Sequence, residues 1–394
     1  VRRPSRRVLP TVIGVAVVTT LTANVVVVMA QSRKPGPGAA RNADAERYVA
    51  TSSGSRISPT AVAPLDKRLT PHLLVAAPTS LPGDALAKVR RIKGVRAAVV
   101  VDAAQALVAG KRVGLLGVEP SNFRPFTPRP TAESDSLWRN VAAGDVAISF
   151  TMGSDGGVRL GSQVPIGGRQ RQTQTRVGAY ATMGIGQIDA VVSRATAQSL
   201  GVPNGNAILI SAPKSRLSTL TKQLHRALPR QARALQVNSS EVDVPARRAG
   251  ALPTAHGQVL TQEQITIAIQ AAESKLGMPY VWGGESDREG GYDCSGLLQY
   301  AFAQAGIRLP RVAADQARAG WVIPFGQAQP GDLLTWAHDP TAPGYISHIA
   351  MYLGNGRMIV APRTGDVIKI APVTFRNFKG AVRINPRQGA RIAG

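Results

Sequence analysis

The stretch YDCSGLLQYAFAQAG, residues 292–306, decides how the last third of the chain is read. It holds Cys294, the single cysteine among 394 residues. Leu297, Leu298, Ala301, Phe302 and Ala305 recur at helical spacing, Asp293 stands at the cap position, and Gly306 supplies a stop. The spacing predicts a helix that begins at Cys294. A thiol in the first turn of a helix meets unpaired N–H groups and the positive end of the helix dipole. Both favour a thiolate, and the same amides suit a developing oxyanion. One cysteine makes no internal disulfide, so in an exported chain it is either a reactive nucleophile or an intermolecular link.

A nucleophilic thiol also needs a base. The histidines are His72, His225, His256, His338 and His348, and only the last two follow the cysteine. His348 lies in YISHIAMYLGNGRMIVAP, whose alternation predicts a strand and whose GNG predicts a tight hairpin turn. His338, in TWAHDPTAPG, reads as loop. A strand aims a side chain more rigidly, so His348 is the preferred base. Upstream, Thr261 and Gln264 form a capping-box signal for a helix over TQEQITIAIQAAESKLG. Ile265, Ile269, Ala272 and Leu276 are expected on its buried face, with Gly277 as the stop.

The N-terminal side reads differently. Arg2, Arg3, Arg6 and Arg7 precede residues 11–30, which carry no charge. Twenty residues at helical rise match the roughly 30 Å apolar thickness of a bilayer. The length favours an uncleaved anchor over a signal peptide, with Val28-Met29-Ala30 a passable cleavage site. The basic head is expected to stay in the cytoplasm and residues 31–394 to lie outside, against a modest opposing bias from Arg33 and Lys34. Residues 31–60 and 246–260 read as linkers rich in Pro, Gly, Ser or charge. Between them, 61–245 alternates strand-like segments (72–77, 96–104, 206–212) with helix-like ones (83–94, 215–228). A net charge of +24 favours anionic partners, although an Arg-rich coding bias would produce it equally well. No nucleic-acid motif, metal-ligand cluster or nucleotide-binding glycine pattern is present in the sequence, so no cofactor and no metal are expected.

The pieces PYVWGG, YDCSGLLQYAFAQAGIRLPR, QPGDLLTW, SHIAMYLGNGRMI and APRTG occur in order over residues 261–384. This region resembles the NlpC family of bacterial cell-wall cysteine peptidases, which have a papain-like fold. The resemblance implies Cys294 as nucleophile, His348 as general base and Tyr280 as a hydroxyl that helps at the oxyanion. It also implies Asp293 and Ser295 as residues lining the peptide cleft. Its substrate class is the stem peptide of peptidoglycan, commonly cut after γ-D-glutamate. One position departs from the pattern. The polar residue that orients the base falls twelve residues after it, and here that is Val360. Another acceptor, such as Asp366 or Thr335, then serves, or the enzyme is slow, or the domain binds wall peptides without cutting them. The middle region weakly resembles the extracytoplasmic domain of MacB/FtsX-type permeases; the other reading is an unrelated α/β domain.

The expected architecture is α+β. A papain-like domain over 261–394, its nucleophile helix packed on a small antiparallel sheet, follows a separate mixed α/β domain and a membrane anchor. The expected function is that of an exported peptidoglycan endopeptidase in the membrane or wall. The alternative is a wall-binding or scaffold protein whose middle domain docks to a membrane complex.

Overall fold

The computed structural model describes residues 46–51, 62–169, 171–237 and 259–393. The anchor expected at residues 11–30 lies outside them. Among the described residues no helix is long and apolar enough to cross a membrane.

Nine strands build the middle region: β1 Leu73–Ala76, β2 Ala97–Val108, β3 Lys111–Val118, β4 Val146–Ile148, β5 Gln163–Gly167, β6 Gln172–Tyr180, β7 Ile188–Ser193, β8 Ala207–Ser211 and β9 Arg233–Gln236. Their order is β3-β7-β4-β6-β5-β2-β8-β1-β9, and β2 also pairs with β3. That extra pairing closes β2, β3, β7, β4, β6 and β5 into a ring, which removes their free edges. β2 is long enough to do both jobs. Asp102–Val108 pairs with β3, and Ala97–Val101 pairs with β8 outside the ring. Val108, Leu115, Val146, Ile148, Ile166, Val177 and Val192 share one core within this ring of strands. Helices α1 (Ala85–Arg90) and α3 (Leu217–Ala227) cover one face of the β8-β1-β9 extension; α2 (Asp135–Ala142) packs in the core on the other. With both faces covered, β8 reads AILIS and is buried throughout.

The C-terminal region carries α4 (Gln262–Glu273), α5 (Cys294–Gln304), a small ribbon of β10 (Glu285–Ser286) with β11 (Gly291–Tyr292), and a six-stranded sheet. Its strands are β12 Gly320–Ile323, β13 Leu333–Trp336, β14 His348–Gly354, β15 Arg357–Val360, β16 Lys369–Pro372 and β17 Phe378–Ile384, ordered β12-β17-β13-β14-β15-β16 and antiparallel at every step. Both bonds of the capping box at Thr261 and Gln264 are made. α4 ends sooner than its pattern predicts. Ala268 and Ala272 form its buried face, while Leu276 lies beyond the helix and is exposed. α4 and α5 pack on one face of the sheet, against Leu333, Ile349, Met351, Ile359 and Val382. The β14–β15 hairpin turns at Asn355 and Gly356, with φ of 51° and 68°, the left-handed pair that a type I′ turn requires.

The two regions are not separate. Residues 44–394 form one compact unit. Trp282 packs against both the core of the ring and the core beneath α5. Hydrogen bonds cross as well: Thr182 N–H donates to the Thr341 hydroxyl at 3.0 Å, and Thr364 N–H donates to the Asp155 carbonyl at 2.8 Å.

Candidate active site

Asp293 caps α5 through its side chain, accepting from Gly296 N–H at 2.7 Å. The first turn of α5 presses against the loop before it. A Cβ on Gly296 would lie 2.1 Å from Gly284 O, so only glycine fits there. Cys294 is therefore held at the first helical position, with 8% of its surface exposed. Its sulfur accepts from the backbone N–H of Ile349. That contact sets the thiol against the start of β14, next to His348. No hydrogen bond joins thiol and imidazole among the described residues. Such bonds often tighten only when substrate binds.

The expected acidic thiol is not what the fold produces. Burial, followed by the carboxylate of Asp293, pushes Cys294 up to about 12. Burial, with His338 adding to it, pushes His348 down to about 4. Desolvation penalises both charged forms. The resting pair is a neutral thiol and a neutral imidazole, so the imidazole is in the form that can accept a proton.

Tyr280 pairs with Tyr292 through a parallel bridge, two residues before the nucleophile. Burial first, then the charges of Cys294 and Asp293, raise its phenol far above the usual tyrosine value. It stays protonated, so its hydroxyl can donate a hydrogen bond. Ser295 Oγ donates to Asp293 Oδ1 at 3.1 Å, and both residues line the cavity beside Cys294. Arg311, which carried no assignment in the sequence, binds both. Its Nη1 and Nη2 donate to the two oxygens of Asp293 at 3.0 and 2.7 Å, and Nη1 also reaches Ser295 Oγ at 3.0 Å. Nε pairs with Glu285 at 3.0 Å. The one signal for it was its place at the end of the GIRLPR segment.

The position that should orient His348 is apolar. Trp336 lies opposite His348 in the β13–β14 register. Met351 pairs with Ile359 in the hairpin, which puts Val360 beside Ala350 on the face that His348 shares. Val360 is buried with Trp336, Ala350 and Tyr352. Neither suggested substitute reaches the base. Thr335 faces away from His348 and donates to Gly380 O, and Asp366 pairs with Lys369 on the surface. The polar neighbour is His338, whose ring centroid lies 6.0 Å from that of His348, with Trp336 beside both rings. Among the described residues no group of acids, histidines and cysteine is placed to hold a metal ion.

A cavity of about 200 Å³ opens at Cys294. Tyr280, Asp293, Ser295 and Arg311 line it from the C-terminal region; Thr151, Asp155, Thr182 and Asp189 line it from the middle region. The sequence held no signal for the second group.

Residues 277–384 match the family model described as NlpC/P60 family. The chain is 38% identical over 135 residues to peptidoglycan endopeptidase RipA of Mycolicibacterium smegmatis, covering 32% of this chain and 25% of that one. It is 40% identical over 128 residues to a γ-D-glutamyl-L-lysine dipeptidyl-peptidase of Bacillus subtilis, covering 32% and 41%. Against the solved structure of the peptidoglycan hydrolase RipB from Mycobacterium tuberculosis the identity is 34%, with 34% of this chain and 69% of that one covered and a TM-score of 0.29. The match thus spans between a quarter and a half of these two curated relatives.

Proposed function

Because residues 277–384 belong to the NlpC/P60 family, we propose that the protein is an exported cysteine peptidase that hydrolyses amide bonds in peptidoglycan stem peptides, next to γ-D-glutamate. The observation that carries this reading is a lone cysteine fixed at a capped helix start, in contact with the strand that presents His348 and beside the protonated Tyr280. In the reaction Sγ attacks the amide carbonyl carbon as His348 takes the thiol proton. The Tyr280 hydroxyl donates to the oxyanion, an interaction that grows as charge develops. The imidazolium then gives its proton to the departing amine. Water, activated by the same imidazole, hydrolyses the thioester and frees the thiol. The uncharged segment at residues 11–30 would hold the enzyme at the membrane with this site outside.

Val360 supports a second reading, a domain that binds wall peptides without cutting them. Digestion of purified muropeptides, read by mass spectrometry, separates the two. A new amine and a new carboxylate at one stem-peptide bond, absent with Cys294→Ala, support the peptidase. Binding with no cleavage by the wild type overturns it.

A further inference from the structure

Two stretches far apart in the sequence meet on the face that α1 and α3 cover. Leu86, Val89, Leu220 and Leu224 share one core beneath the two helices. The turns beside them touch. A Cβ on Gly94 would stand 2.1 Å from Ser215 Oγ, and Arg96 N–H donates to Ser211 O at 2.8 Å. With the apolar side chains turned inward, what remains outside is basic. Residues 84–96 hold five lysines and arginines and residues 213–236 hold six, all exposed, against the single acid Asp84. Asp84 pairs with Lys88 at 2.8 Å; none of the other ten makes an ion pair among the described residues.

Other arginines of the middle and C-terminal regions meet carboxylates: Arg176 meets Asp145, Arg194 meets Asp102, and Arg383 meets Asp332. A coding bias towards arginine does not account for the basic face. Four of the chain's ten lysines, Lys88, Lys93, Lys214 and Lys222, fall in these thirty-seven residues. Uncompensated like charges repel one another and draw in a partner of opposite sign. The two segments contain no Phe, Trp or Tyr, so no side chain here stacks on a nucleobase. Leu235, the exposed large apolar residue of the second segment, pairs with Leu74 of the opposite core and so lies on the other face. The surface thus offers charge spread over two helices, with no aromatic platform and no apolar wedge. Such a surface fits a broad array of anions.

The described fold also begins close to the segment read as an anchor. Val49 bridges to Ala179 of β6, and residues 31–45, at most about 50 Å of extended chain, lie between the described fold and residue 30. We infer that the α1/α3 face is a docking surface for an anionic lipid bilayer, which holds the compact unit against the membrane. The choice of lipid over another polyanion rests on the anchor reading of residues 11–30. Lys93, Arg96, Lys214 and Arg216 surround the Gly94–Ser215 contact and form the centre of the surface. None of them lines the cavity at Cys294, so docking leaves the cleft open. Attraction of this kind weakens as salt shortens the screening length from about 8 Å at physiological strength to about 3 Å at 1 M.

Lysine acylation read by mass spectrometry tests the surface residue by residue. The full chain is mixed with vesicles of phosphatidylcholine alone, or of phosphatidylcholine with a third of phosphatidylglycerol. In the anionic vesicles Lys88, Lys93, Lys214 and Lys222 should label at least threefold more slowly than in the neutral ones. Lys67 and Lys379, exposed elsewhere, should label equally in both. The shielding should vanish in 1 M NaCl. Lys93→Glu with Arg96→Glu, Lys214→Glu and Arg216→Glu, at unchanged melting temperature, should abolish the shielding of Lys88 and Lys222. Equal labelling of the four lysines in both vesicles overturns the inference, as does shielding that survives 1 M NaCl. Stronger shielding by soluble polyglycerol phosphate at equal phosphate concentration also overturns it and assigns the surface to a wall polymer. If the chain ignores neutral vesicles but binds anionic ones with this footprint, the docking surface stands and the anchor reading falls.

Discussion

Arg311 Nη2 lies 2.7 Å from Asp293 Oδ2, and Asp293 is the residue that caps the nucleophile helix. One guanidinium thus fixes the start of α5, neutralises the carboxylate nearest Cys294, and holds Ser295. The pair is mostly buried, with side chains 20% and 12% exposed. Removing one partner of such a pair leaves an uncompensated charge and costs about 3 kcal/mol or more. Arg311→Ala should therefore lose about that much stability by denaturant titration. The thiol should also become harder to ionise, since Arg311 lowers the Cys294 value and Asp293 raises it. Arg311→Lys keeps the charge but not the two-pronged geometry, so it should fall between. An Arg311→Ala protein as stable as wild type would remove this role.

The raised thiol has a kinetic signature. With Cys294 at about 12 and His348 at about 4, both groups are neutral near pH 7. Alkylation by iodoacetamide should be slow at pH 7 and rise about tenfold per pH unit without levelling off below pH 10. Thr341→Val deletes the hydroxyl that accepts from Thr182 N–H and should loosen the middle-region wall. The variant should alkylate several-fold faster at pH 7.5 as water reaches the thiol. A wild-type profile with its midpoint near 8.5 would contradict the buried neutral pair.

The interface acids make a prediction about stability. Asp155 and Asp189 are raised from 3.8 to about 6 by burial, so the folded protein binds more protons than the unfolded chain between those values. Their contribution is fully favourable below about 3.8 and is lost as pH rises through 6. His348 runs the other way. Its value is lowered from 6.5 to about 4, so its contribution is present above 6.5 and lost as pH falls toward 4. The two effects offset each other in the wild type. Asp155→Asn with Asp189→Asn removes only the first. At pH 7.5 the double variant should be more stable than wild type by on the order of 1–3 kcal/mol, with the difference shrinking toward pH 5. A constant difference across that range would rule out buried charge as the cause.

Local pattern made the C-terminal region legible. A cap, an apolar stripe and a stop glycine place α5 and its cysteine, and period-2 alternation with GNG gives the β14–β15 hairpin and the facing of Val360. What escaped the sequence was long-range. Arg311 carries no periodic signal, and its partners are set by how the loop after α5 folds back. The strand-like segments at 72–77, 96–104 and 206–212 do form strands, but closure of the ring depends on β2 pairing with both β3 and β5, which no local pattern encodes. The thiol's rise has the same origin. A helix terminus can be read from residues 292–306, whereas the burial that raises the thiol cannot.

Val360 is where pattern and structure agree on an oddity, and it yields the last test. The third member of a catalytic triad holds the base in its productive tautomer, and its loss costs on the order of 10⁴ in a serine enzyme. A cysteine enzyme depends less on its base, so wild type should be a slow peptidase rather than an inert one. Val360 shares a sheet face with His348 and sits next to Ala350, so a histidine there would point along the same face toward the base. Val360→His should raise kcat at least tenfold with little change in KM. It should also lower stability by about 1–3 kcal/mol, because a polar ring enters an apolar cluster. His338, 6.0 Å from His348 between ring centroids, is the competing orienting group. If wild type is already fast and Val360→His slows it, His338 holds that role, and His338→Ala should then cost a hundredfold or more in kcat. If His338→Ala changes kcat less than threefold while Val360→His accelerates the enzyme, the slow-triad account stands.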